Sequence, residues 1–196
     1  MCIRDSAPDI LIDATGSEEI IPRIEGLEEC GYISEDEALK GEVEGAKIAV
    51  IGGGLIGLET ADYLTAQGKR ATVVEMKSEV ASELTKSRRT LLLDRLDDKC
   101  TKLVTDARVI SAQKHGSKIT LNVEAGGKMK EYEGFDAVIV AVGRKPNKAL
   151  SLDKEEFEKA GIKVYVIGDA AGGGFALNAV RDGFMCAAKI LGIAGA

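Results

Sequence analysis

Four stretches of the chain share one pattern: an apolar run that empties into glycine. They are APDILIDATG (7–16), KIAVIGGG (47–54), FDAVIVAVG (135–143) and VYVIGDAAGGG (164–174). Continuous β-branched runs of this length predict strands covered on both faces, as in parallel sheets. Between the second run and RATVVE (70–75), residues 55–67 place Leu58, Ala61 and Leu64 on one side of a helix that stops at Gly68. Residues 85–98 predict another helix, with a stripe through Leu92 and Leu96. Strand, helix, strand, helix is the order of a parallel sheet covered by helices. The texture then changes. ARVISAQ, KITLNVE and KMKEYE alternate polar with apolar and are split by HGS and AGG, which predicts an antiparallel meander. RKPN (144–147) reads as a polar turn, 149–160 as a surface helix, and 176–191 as a final amphipathic helix.

The turn after the second run carries the spacing Gly52-x-Gly54-x-x-Gly57. Alone this is weak evidence. Here it follows a predicted strand, opens a predicted helix, and is followed by Glu75 at the end of the next strand, the arrangement of a dinucleotide site. Gly52 permits the sharp turn, Gly54 lets a diphosphate approach the backbone, and Gly57 lets the helix pack closely. The helix N-terminus then holds the anion with amides and dipole. Glu75 is expected to accept hydrogen bonds from the ribose hydroxyls and to repel a 2′-phosphate, favouring NAD over NADP. Lys77, two residues on, softens that repulsion wherever it reaches the sugar, so the choice stays open.

Charge narrows the partners. With a net charge of -6, the 196-residue chain argues against a nucleic-acid partner, which needs a cationic face, and the same balance disfavours a membrane surface. No apolar run is long enough to span a bilayer and no signal-peptide core is visible, so the expected location is cytoplasmic. Cys2, Cys30, Cys100 and Cys186 form no close pair, which argues against a redox centre, a zinc site or a local iron–sulfur cluster. No metal ligands and no catalytic side chain are assigned. His115 reads as a solvated turn residue, Glu155 and Glu156 diverge, and Arg88 and Arg89 read as a solvated helix face.

GGGLIGLE with VVE, then AVGRKPN, then VYVIGDA, resembles the paired flavin and nicotinamide domains of two-dinucleotide-binding flavoproteins. The resemblance covers about residues 7–191. Within that superfamily, TKSRRTLLLDRL and the short link to VYVIGDA are most similar to the C-terminal region of old yellow enzyme-type NADH:flavin oxidoreductases, such as 2,4-dienoyl-CoA reductase. The resemblance implies an α/β fold in which a Rossmann-like NAD domain (45–146), with parallel sheet and meander, is inserted in a partial FAD domain (7–44 and 147–196). It places Gly52, Gly53, Gly54, Leu55, Ile56, Gly57, Glu59, Glu75, Met76 and Gly143 against NAD(H). It places Ala14, Thr15, Gly16, Gly168 and Asp169 against FAD, with Asp169 on the ribitol chain.

The likeness departs at the front. The family's flavin domain begins with its own glycine-rich strand–helix turn, and nothing before Pro8 supplies one. Residues 1–6, MCIRDS, match the translation of a transposase adapter used in sequencing libraries. They are expected to be non-native, with the natural sequence starting near Ala7 inside a longer enzyme. The expected function is then the NAD(H)-binding part of a flavin-dependent oxidoreductase, passing hydride from NADH to FAD and partnered by the missing N-terminal domains of the same chain. FMN and an iron–sulfur cluster are implied only for that upstream part. Alone, the fragment is expected to bind NAD without stable FAD binding and to be inactive. Two alternatives remain: a nucleotide-binding scaffold without turnover, and a fragment of a rubredoxin-reductase- or nitrite-reductase-like flavoprotein.

Overall fold

A computed structural model describes residues 8–41, 43–148, 150 and 154–193. The adapter-like hexapeptide lies outside the described residues. The chain begins with β1 (Ile10–Asp13) and β2 (Ser17–Glu19), then α1 (Leu27–Cys30), β3 (Tyr32–Ser34) and α2 (Glu35–Leu39). The predicted strand–helix alternation follows as β4 (Lys47–Ile51), α3 (Leu55–Ala66), β5 (Arg70–Val74), α4 (Lys86–Asp98) and β6 (Lys102–Val104). The meander is β7 (Ala107–His115), β8 (Lys118–Ala125) and β9 (Lys128–Phe135), and β10 (Ala137–Val140) follows it. Last come β11 (Arg144–Pro146), α5 (Lys154–Lys159), β12 (Lys163–Val166) and α6 (Ala176–Ile190).

The chain forms two compact units. One joins the residues up to Glu18 with those from Arg144 onward; the other is Glu19–Gly143. In the second unit, five parallel strands lie in the order β3-β10-β4-β5-β6. Both faces are covered, and the period of two sorts the side chains between them. Ile48 and Val50 of β4 and Ile139 of β10 join Leu58, Leu64, Leu92 and Leu96 in a core under the helices. Ala49 and Ile51, with Val138 and Val140, face the opposite way into a core with Leu121, Val123 and Phe135 of the meander. That division explains why these strands read as unbroken apolar runs. In the α4 stripe Leu92 and Leu96 are buried as expected, but Leu91 faces outward.

The segment 17–46 has no clear period, and the structure assigns part of it to the sheet. Tyr32–Ser34 is a three-residue edge strand, too short to reveal a period, paired in parallel with Val138–Val140. Ser34 then caps α2: its hydroxyl accepts from the Glu37 N–H at 3.2 Å, and the Glu37 carboxylate accepts from the Ser34 N–H at 2.9 Å. The Ser34 N–H first, and then the Ser34 hydroxyl, which donates to the same carboxylate at 3.0 Å, lower the Glu37 carboxyl from its ordinary value.

Asp136 clamps the sheet at its other end. Its carboxylate accepts from the N–H groups of Ala46 (3.0 Å) and Lys47 (2.9 Å) and from the Lys118 ammonium. The Lys118 bond first, and then the two amides, hold its carboxyl far below the aspartate range. In the unfolded chain an aspartate titrates near about 3.9. Below that value the unfolded state binds the extra proton first, so this stabilisation is complete at neutral pH and fades as the solution is acidified. Asp136→Asn is expected to melt below the wild type at pH 7, with the gap closing as pH falls towards about 2. A gap independent of pH in melting curves would refute this role.

In the other unit, Ile10–Asp13 pairs in parallel with Lys163–Val166, register Leu11↔Val164 and Asp13↔Val166. The polarity of RKPN predicts a turn; instead Arg144–Pro146 is a strand paired with Ser17–Glu19. The pairing is made by backbone groups, which side-chain polarity does not report. The expected helix over 149–160 is helical from Lys154 to Lys159, while 149 and 151–153 lie outside the described residues. Helix α6 is amphipathic as expected, but within its unit Leu177, Val180 and Phe184 are exposed; its buried side chains are Cys186 and Ala188.

Candidate nucleotide-binding site

β4 ends at Ile51 and the chain turns at once. Gly52 has φ 109°, and a Cβ there would stand 2.2 Å from the Ala141 carbonyl oxygen. A Cβ on Gly57 would stand 2.1 Å from the Gly52 oxygen, so the first turn of α3 rests directly on the loop. Gly53 is packed underneath, where a Cβ would meet Glu75 and Val80, both at 2.8 Å. Gly54 is different: the nearest atom to its missing Cβ is a Glu83 oxygen at 3.4 Å. Three glycines are therefore demanded by the protein itself, and Gly54 alone faces open space.

That space is a cavity of about 800 Å³ inside the Glu19–Gly143 unit. Gly52, Gly54, Leu55 and Ile56 line it, together with Glu75, Met76 and Gly143. These seven of the ten residues assigned to NAD are brought together around one hollow. Gly53 and Gly57 lie behind it, and Glu59 sits exposed on α3 away from the lining.

Glu75 is 7% exposed. One carboxylate oxygen accepts from the Gly53 N–H at 2.6 Å and the other from the Lys77 N–H at 2.8 Å. The parallel register Ile51↔Val74 sets this acid level with the glycine turn. The buried carboxylate is thus held against the loop, on a residue that lines the cavity. Hydroxyls of a ribose fit such an acceptor. The open face of Gly54 and the α3 N-terminus fit a diphosphate. The residues present therefore fit a nicotinamide dinucleotide.

Several walls of the cavity carried no sequence signal. Pro22, Arg23 and Ile24 come from the segment before α1, and Ala107, Arg108 and Val109 from the start of the meander. Glu83 lies in the loop before α4, yet its carboxylate accepts from the Leu55 N–H at the start of α3. The discounted residues stay apart: His115 is exposed at a hairpin end, and Arg89 pairs with Glu79 at 3.2 Å.

The flavin set gathers in the other unit. Because β1 and β12 are parallel, Ala14–Gly16 and Gly168–Asp169 leave the same end of the pair. The Ser17 hydroxyl donates to Asp169 at 3.2 Å, and Arg144 donates to the Ser17 hydroxyl and carbonyl, both at 3.1 Å. Asp182 of α6, which the sequence reading missed, accepts from the Gly168 N–H at 3.1 Å. Asp13 is buried; one oxygen accepts from the Thr15 N–H and hydroxyl, and the other has no partner. Asp169 fits the hydroxyls of a flavin side chain, but the described residues of this unit include no Gly-x-Gly-x-x-Gly turn from strand to helix for its diphosphate. They fit FAD in part.

No helix among the described residues is long and apolar enough to cross a membrane. The mixed α/β architecture is Rossmann-like, a parallel sheet with an antiparallel layer. Residues 5–183 match the family model described as pyridine nucleotide-disulphide oxidoreductase. The chain is similar to an NADH oxidase of Thermoanaerobacter brockii, 36% identical over 197 residues, covering 94% of this chain and 28% of that protein. It is similar to a bilirubin reductase of Mediterraneibacter gnavus, 34% identical, covering 92% of this chain and 27% of that protein. Among solved structures, a 2-naphthoyl-CoA reductase in complex with 2-naphthoyl-CoA superposes with a TM-score of 0.80 at 29% identity, over 93% of this chain and 27% of that one. The chain thus spans little more than a quarter of the length of these relatives. Proteins of this family are oxidoreductases that bind FAD and NAD(H). With its glycine turn, a buried acid at the end of the next strand and a family match over most of its length, the chain belongs to the pyridine nucleotide-disulphide oxidoreductase family.

Proposed function

We propose that the Glu19–Gly143 unit binds NADH, with the diphosphate over Gly54 and the amides that open α3, and the adenosine ribose on Glu75. The observation that carries this reading is the buried Glu75 carboxylate, bonded to the Gly53 N–H at 2.6 Å on the wall of an open cavity. When bound, NADH supplies a hydride and FAD accepts it. The chain's own residues bind, orient and exclude water; hydride transfer of this kind needs no side-chain acid or base. Asp169 and the Ala14–Gly16 turn hold part of the flavin, and upstream domains of a longer parent chain complete its site. The parent is an old yellow enzyme-like reductase acting on an enoate or dienoyl-CoA type of substrate. The reductase names among the relatives support that class.

Titration of the chain with NADH and NADPH, followed by nicotinamide fluorescence, tests the binding step. NADH is expected to bind more tightly, and Glu75→Gln to weaken it by about tenfold or more, the worth of a hydrogen bond to a charged group. Absent NADH binding, or a preference for NADPH, overturns the reading. In the longer parent, NADH is expected to bleach the flavin absorbance; an unbleached flavin favours a scaffold without turnover.

A further inference from the structure

The loop that is to hold a diphosphate already holds an anion. Helix α3 has no side-chain cap at Gly54 and no acidic residue in its first turn. Its Leu55 N–H instead donates to the carboxylate of Glu83, which lies 28 residues further along the chain. The same oxygen is the atom nearest the missing Cβ of Gly54, so it sits on the one glycine face that opens to the cavity.

Backbone contacts bring Glu83 there. The Ala81 N–H donates to the Gly53 carbonyl at 2.8 Å, and the Leu84 N–H closes a turn on the Ala81 carbonyl at 3.1 Å. Ala81 takes the left-handed region (φ 45°) within that turn and is buried beside Val80. The backbone is anchored, while the Glu83 side chain is exposed and free to leave. Glu75 is the opposite case: it is buried, and both its oxygens are bonded to the backbone.

We propose that Glu83 is the resident anion of the nucleotide loop, a residue that sets affinity by competing with the dinucleotide diphosphate for the α3 N-terminus. This rests on the NADH reading above. In the free protein the carboxylate satisfies the Leu55 amide and the positive end of the helix. An incoming diphosphate takes over that amide, so the carboxylate must swing into solvent, and any charge it leaves nearby repels the ligand. Affinity is therefore lower than the cradle alone would give, and exchange of spent for fresh nucleotide is correspondingly easier. A residue that instead gripped the ligand would make its loss costly, so the two roles have opposite signs.

The test is titration of the intact chain and its Glu83→Gln and Glu83→Ala variants with NADH and with adenosine, which has no phosphate. Both variants are expected to bind NADH more tightly, between about twofold and thirtyfold, the range of a charge at a helix end. Adenosine affinity is expected to stay level. Unchanged or weaker NADH binding in the variants, with the wild type still binding, overturns the proposal for Glu83 alone. A wild type that binds no NADH overturns the nucleotide reading beneath it. Equal tightening for adenosine also overturns it, because the gain then does not involve the diphosphate.

Discussion

Gly54→Ala is expected to raise the Kd for NADH by at least about tenfold while leaving the melting temperature within the range of a surface change. The backbone at Gly54 (φ -66°, ψ 179°) is open to any residue, and the nearest obstacle to a methyl group is the end of the exposed Glu83 side chain, at 3.4 Å. Nothing in the fold objects to alanine. Only the ligand does, because the methyl group enters the space where a diphosphate must reach bare amides. Gly57→Ala is the contrast. Its methyl group would stand 2.1 Å from the Gly52 carbonyl oxygen, a backbone atom that moves only if the turn opens. That variant is expected to lose about 1–3 kcal/mol of stability together with its affinity. Calorimetric titration beside thermal melting separates the two. If Gly54→Ala binds NADH like the wild type, the loop is not the diphosphate cradle.

Phe135→Ala is expected to cost about 3–5 kcal/mol, the range for a large aromatic removed from a packed interior. Phe135 is 1% exposed and packs among Ile119, Leu121 and Val138, where the meander meets the parallel sheet. It lies opposite Ile119 in the β8–β9 register, and the Lys47 ammonium stands 4.9 Å from its ring centre. A domain's whole stability is of the order of 5–15 kcal/mol, so the loss is a large share. Urea denaturation followed by circular dichroism reads it directly. Phe135→Leu is expected to recover most of the loss, since it refills much of the volume. A cost below about 1 kcal/mol for the alanine variant would mean that the meander is not a structural part of this core.

The strand–turn–helix–strand–acid run from Lys47 to Glu75 was legible because its constraints are local. The apolar period, the glycine spacing and the acid all fall within 29 residues, and each element is specified by its immediate neighbours. The meander was legible for the same reason, since alternation and turn residues sit side by side. Where the local pattern was short or silent, the reading stopped. Tyr32–Ser34 became a sheet strand and Arg144–Pro146 paired with Ser17–Glu19, because backbone hydrogen bonding takes any side chain that fits.

By itself the amino-acid order determined the parallel α/β plan, the need for glycine at Gly52 and Gly57, and the acid level with them; that Gly53 is packed under Glu75 and Val80 came only with the fold. Tertiary structure alone decided that Asp136 clamps Ala46 and Lys47 across some 90 residues, that Glu83 reaches the Leu55 amide, and that Arg23 and Arg108 wall the same cavity. The physical reason is the range of the interactions. Periodicity and turn chemistry act between neighbours in the chain. A carboxylate finds its donor only after packing has brought two distant backbones together, and many exposed acids in this sequence are equivalent until then.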